Sequence, residues 1–166
     1  DALHGGLPDF PRSFTGKGVL IGVIDTGFDF MHPAFRDAEG NSRIVHVWDQ
    51  SGRNGNTPSM GYGVVFDTPE LIRSAAHDVS RDTHGTHVAA IAASSADVYK
   101  GMAPESDIVV VATDKSESGI IDALAYLLDY AEKEKKPIAI NLSMGTVIGF
   151  KDGTDPIASM IDELLD

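Results

Sequence analysis

Short apolar runs alternate with helically spaced apolar stripes along most of this chain. Residues 19–24 and 108–113 are apolar runs with β-branched side chains, the pattern of buried strands, and 137–142 is a further strand. Helices are predicted over 84–95, 120–135 and 155–165. In the second, Ile121, Leu124, Leu127, Leu128 and Ala131 fall on one stripe. The third has Asp155 as its cap and Pro156 in its first turn. Strands that alternate with helices imply right-handed crossovers and a parallel sheet covered on both sides. The expected fold class is α/β, a three-layer sandwich around a mainly parallel sheet.

Residues 36–80 have a different local style. Residues 44–48 alternate as a strand should, and 63–66 form a second short candidate. The intervening Ser51-Gly52-Arg53-Asn54-Gly55-Asn56-Thr57-Pro58 is turn-forming, so a hairpin is predicted. Asp67-Thr68-Pro69-Glu70 then opens a short helix to about residue 76, with Pro in its first turn. Residues 1–18 are rich in Gly and Pro and read as an irregular lead-in. The chain shows no internal repeat and no low-complexity tract.

Bulk properties narrow the function. A chain of 166 residues suits one domain with a proper core. A net charge of −12 argues against nucleic acid and anionic membrane as partners, because phosphate would be repelled. The absence of Cys excludes a disulfide framework and thiolate catalysis. There is no run of about 18 apolar residues and no signal peptide. The chain starts at Asp1 without Met, as a processed or cut form would.

Two stretches carry the candidate chemistry. In Val23-Ile24-Asp25-Thr26-Gly27-Phe28-Asp29 a carboxylate ends an apolar strand, and sites in open α/β sheets form at such strand ends. A lone strand-end Asp is more often a loop cap, so Asp25 needs a partner. In His84-Gly85-Thr86-His87-Val88-Ala89 an imidazole opens a helix that Asp82 or Thr83 can cap. The positive helix end disfavours a protonated ring there, and a nearby carboxylate favours it. That opposition suits a general base. Gly85 permits close backbone approach, and Ala89, Ala90, Ala92 and Ala93 let the helix lie near the sheet. His87 reads as a buried ring bonded to a backbone carbonyl.

The order of Asp, then His, then an expected Ser is the subtilisin order. The chain resembles the subtilisin-like serine proteases, or subtilases. Phe14-Thr15-Gly16-Lys17-Gly18-Val19 is similar to the family's lead into its first core strand. Asp25-Thr26-Gly27 resembles the catalytic Asp motif and His84 to Ala89 the catalytic His motif. Gly101-Met102-Ala103-Pro104 looks like the turn after the His helix, and Ile140-Asn141-Leu142-Ser143-Met144-Gly145 like one wall of the specificity pocket. The resemblance implies that Asp25 orients His84 and that Ser143, Met144 and Gly145 offer backbone to an extended peptide. Part of 115–119 would be the opposing edge.

Departures from the family pattern matter as much. The Asp-to-His gap is long, and 36–80 reads as an insertion with an extra hairpin and short helix. Ala34 follows His32-Pro33 where many subtilases carry a calcium-binding Asp, so no metal site and no cofactor are expected. Ala90 stands where Gly is usual. No Gly-Thr-Ser follows residue 90, and the family's oxyanion Asn also lies beyond a helix like 155–165. The expectation is one incomplete catalytic domain over 1–166, the N-terminal portion of an endopeptidase, inactive alone. Its partners would be a peptide or protein substrate, the missing C-terminal half, or a second copy at an open sheet edge. The resemblance also implies a secreted or cell-envelope bacterial protein.

Rival readings remain at this point. A nucleotide-binding α/β domain would need a Gly-rich phosphate loop after the first strand, where this chain has one Gly and two carboxylates. A metal hydrolase could use His84, His87 and an Asp, but the Glu of His-Glu-x-x-His is absent. A pseudoprotease or peptide-binding module of the same fold fits the same residues.

Overall fold

Five strands form one sheet in the order β3-β2-β4-β1-β5. They are β1 (Leu20–Asp25), β2 (Ile44–Asp49), β3 (Val64–Phe66), β4 (Asp107–Ala112) and β5 (Ile138–Leu142). The helices are α1 (Pro69–Ala75), α2 (His84–Ala93), α3 (Glu117–Glu134) and α4 (Pro156–Leu165), with a 3₁₀ turn at Pro33–Phe35. The computed structural model describes residues 14–53, 55–80, 82–145, 153–154 and 156–165, without the side chains of 164 and 165. The expectations for residues 1–13 and for Asp155 as a cap lie outside these.

The runs 19–24 and 108–113 become the inner strands β1 and β4, while 137–142 becomes β5 at the end of the described sheet, half-buried rather than sealed. β1 pairs in parallel with β4 from Leu20↔Asp107 to Asp25↔Ala112, and with β5 from Leu20↔Ile138 to Ile24↔Leu142. Strands covered on both faces have no polar side to show, which is why Val109, Val110 and Val111 are completely buried. One face packs Val23, Val47, Ile108 and Val110 with Phe28, Phe30 and the small face of α2. The other packs Ile24, Trp48, Val109 and Val111 with Ala123, Leu124 and Leu127 of α3. The three-layer α/β arrangement is therefore present.

Two local expectations change. The hairpin forms, with Val47↔Phe66 to Asp49↔Val64 antiparallel, but β2 also pairs in parallel with β4. Within 36–80, β2 is thus part of the parallel core, and β3, α1 and the loops lie outside it. The buried stripe of α3 is rotated from the expected one. Ala123, Leu124, Tyr126, Leu127 and Ala131 are buried, while Ile121 and Leu128 are half-buried. Tyr126 wins its place because its hydroxyl meets His46 Nε2 at 2.7 Å and its ring packs on Trp48. Apolar spacing alone misses a phenol with a buried partner.

The short helix follows its signals. Thr68 Oγ1 accepts from Leu71 N, and Pro69 occupies the first turn, where its missing N–H costs nothing.

Candidate active site

β1 delivers Asp25 to the carboxyl end of the sheet, and the chain turns sharply after it. Asp25 Oδ1 accepts from Thr26 N at 2.7 Å, and Asp25 is only 3% exposed. Gly27 takes φ +82, and a Cβ there would lie 2.4 Å from the Asp82 backbone. Only Gly tolerates both the left-handed backbone and that approach. The contact sets the segment before α2 directly over the turn. Gly85 N donates to Thr26 O and Thr86 N to Gly27 O, so two free N–H groups of the helix start are spent on the β1 turn. Thr86 Oγ1 donates to Gly27 O and accepts from Asp29 N. The turn and the helix are one stitched unit.

That stitching brings the two motif residues together. His84 Nδ1 lies 2.9 Å from both Asp25 Oδ1 and Oδ2. An ionised carboxylate can only accept, so Nδ1 carries the proton and the neutral ring keeps its lone pair on Nε2. The carboxylate is sealed, with its side chain 4% exposed, whereas the imidazole is 50% exposed. Thr83 is the helix cap by position but its side chain makes no capping bond. Asp82 Oδ1 serves instead, accepting from Thr83 N and His84 N.

A cleft of about 550 Å³ opens beside this pair. Asp25, Thr26, His84 and Lys115 line it together with Leu142, Ser143, Met144 and Gly145. All five predicted site residues therefore border one cavity. Ser143 is exposed and donates to Asn141 Oδ1 at 2.8 Å, the local bond of an ordinary strand end. Of residues 115–119, Lys115 borders the cleft. Ser116 caps α3 and Glu117 already belongs to it, because Ser116 Oγ accepts from Gly119 N.

Two further readings are corrected. His87 is exposed on α2, not buried, because the inward stripe of this helix is Gly85, Ala89 and Ala93. Gly85 is tight against the Phe28 ring, where a Cβ would come within 2.7 Å, so its close approach is to a side chain. Among the described residues no three His, Asp or Glu are grouped so as to hold a metal.

One residue of the site had no motif to announce it. Asp78 is 2% exposed, and its carboxylate accepts from Gly27 N at 2.8 Å and Phe28 N at 3.1 Å. Burial raises its pKa above the ordinary carboxylate value, opposed by those two N–H donors and reinforced by the charge of Asp49. It is the second anchor of the turn that presents Asp25.

The sequence over residues 16–165 matches the family model described as the subtilase family. This chain belongs to the subtilases. Subtilisin-like protease PopC of Myxococcus xanthus is 31% identical over 143 residues, which is 81% of this chain and 26% of that protein. The intracellular serine protease of Paenibacillus polymyxa is 31% identical over 133 residues, covering 78% of this chain and 34% of the relative. The solved CspB protease of Clostridium perfringens superposes with a TM-score of 0.75 at 30% identity, over 91% of this chain and 34% of that one. This subtilase chain therefore spans about a quarter to a third of the length of these two relatives. The nucleotide-binding rival falls with that assignment. The turn after β1 also gives its N–H groups to carboxylates of its own chain.

Proposed function

We propose that this subtilase chain supplies the acid–base half of a serine endopeptidase. The observation that carries the reading is the bond from His84 Nδ1 to both oxygens of a sealed Asp25, beside a cleft that Ser143, Met144 and Gly145 also line. Asp25 holds the ring in one tautomer and stabilises its charged form. His84 Nε2 takes the proton of a serine hydroxyl as that oxygen attacks the peptide carbonyl. It then hands the proton to the leaving amine. Ser143 to Gly145 present main chain to the substrate, which lies as an added strand.

The nucleophile is not among these 166 residues, since no Gly-Thr-Ser follows residue 90. On this reading the segment alone does not cleave peptides, and a longer polypeptide with the same residues does. A fluorophosphonate probe tests both halves. The 166-residue segment should stay unlabelled, and the longer polypeptide should be labelled at one serine that depends on His84. Labelling of Ser143 in the segment would overturn the first statement. A longer polypeptide that binds peptides but takes no label would be a pseudoprotease.

β5 bears on partners. It pairs only with β1 among the described strands, and Ile138, Ile140 and Leu142 are half-buried where the inner strands are sealed. An uncovered edge takes a further strand, from the rest of the polypeptide or from a second copy. Light scattering checks this, and a strict monomer at high concentration would count against it. For compartment the relatives divide, since one is named intracellular and another, from Serratia marcescens, extracellular. No described helix is long and apolar enough to cross a membrane. The secreted or cell-envelope placement implied by the resemblance is tested by cell fractionation.

A further inference from the structure

A separate cavity of about 330 Å³ lies between the 3₁₀ turn and α1 and shares no lining residue with the cleft. Its charge runs against the rest of the chain. The molecule carries 25 Asp and Glu against 13 Lys and Arg, yet this lining holds Arg36, Arg73 and His32 and no carboxylate. Neither guanidinium is part of the three ion pairs among the described residues, and neither donates a side-chain hydrogen bond. The nearby Asp37 does not line the cavity, and its two oxygens accept from Asn41 N and Nδ2.

The histidine is held in one tautomer. His32 Nδ1 accepts from Ala34 N, which places the ring proton of a neutral imidazole on Nε2. The ring also packs on Phe35 at 5.7 Å. Three donor groups thus border one small cavity whose lining has only the neutral acceptors of Asn41 and Ser42 and no carboxylate to match them. The wall is not wholly polar. Met31 and Pro69 border it, and Phe30, Phe35 and Ile72 close it beneath.

We propose that this cavity binds a small carboxylic acid with an aromatic or branched aliphatic body. The carboxylate takes the forks of Arg36 and Arg73 and the His32 Nε2–H, since guanidinium and carboxylate match in plane and spacing. The body rests against Met31 and Pro69. The volume sits at the lower end of the range of about 300–1,000 Å³ for small-molecule sites, which limits the ligand to one ring or one short branched chain.

Calorimetric titration of the full-length polypeptide with 3-phenylpropanoate tests the site. Saturable binding with a Kd of about 1 mM or tighter is expected. Arg36→Gln and Arg73→Gln should each weaken it by about tenfold, with the melting temperature unchanged because both side chains are exposed and unpaired. The uncharged 3-phenylpropanamide should not bind. Absence of saturable binding, equal binding of the amide, or indifference to both substitutions would overturn the proposal. Inorganic phosphate binding as tightly as the acid would overturn the apolar part of the assignment.

Discussion

Asp25–His84 and Ser143–Gly145 border the same cleft but are held in opposite ways. Asp25 ends a strand paired on both sides, its turn is anchored by Asp78, and α2 is stitched onto that turn by backbone and side-chain bonds. Ser143 to Gly145 follow an edge strand, and Ser143 and Gly145 are exposed. The Asp25–His84 pair carries its own scaffold within these residues. Among the described residues, the segment proposed for substrate contact has support on one side only. Sealing is what chemistry demands of the first pair, because a carboxylate held in a dry site orients its partner at no further reorganisation cost. A surface that takes a strand must instead keep its N–H and C=O groups free.

Substitutions can break or sharpen that contrast. The largest effect is expected on the rigid side. In the full-length polypeptide His84→Ala should lower kcat by about 10⁶-fold, the size known for subtilisin itself, and Asp25→Asn by about 10⁴-fold. Steady-state kinetics on a peptide ester checks both. Asp78→Ala should destabilise the fold by about 2–4 kcal/mol, since it strands two buried N–H donors. Denaturant titration reads that loss, and an unchanged midpoint would remove Asp78 from the scaffold.

The buried hairpin strand offers a test by pH. Burial drives the His46 pKa down from 6.5 to about 4. The unfolded chain therefore takes up a proton first as pH falls through 6.5, and stability drops until the folded ring protonates near 4. The total is about 3 kcal/mol from this group. His46→Gln should flatten the stability profile over that window while leaving cleavage at neutral pH unaltered. The smallest effect belongs to the exposed side. Ser143→Ala should change kcat less than about threefold, because the hydroxyl is turned to Asn141 and the proposed contact is through backbone. A loss near that of His84→Ala would erase the contrast.

How much of this was legible in the sequence depends on the range of the contacts involved. The inner strands and α2 were readable because buried strands and small-faced helices leave local patterns. Asp25 and His84 were readable because their motifs are contiguous, although the two residues pair across 59 positions. Asp78 left no local trace, since its partners Gly27 and Phe28 lie about 50 residues upstream. The rotation of α3 and the exposure of His87 were hidden for a related reason. Which face of a helix is buried follows from what the sheet presents to it, here His46 and Trp48 for Tyr126, and apolar spacing does not encode that. α3 starts at Glu117 rather than at 120, because Ser116 caps it while the apolar stripe begins only later.

The pairing of Asp25 with His84 is most directly tested by nitrogen-15 NMR of the His84 ring at mildly alkaline pH, in the wild-type chain and in Asp25→Asn. The account predicts a wild-type ring protonated on Nδ1 with a bare Nε2, and a change of tautomer population in the variant. A wild-type ring protonated on Nε2, or a ring indifferent to the Asp25 substitution, would contradict it.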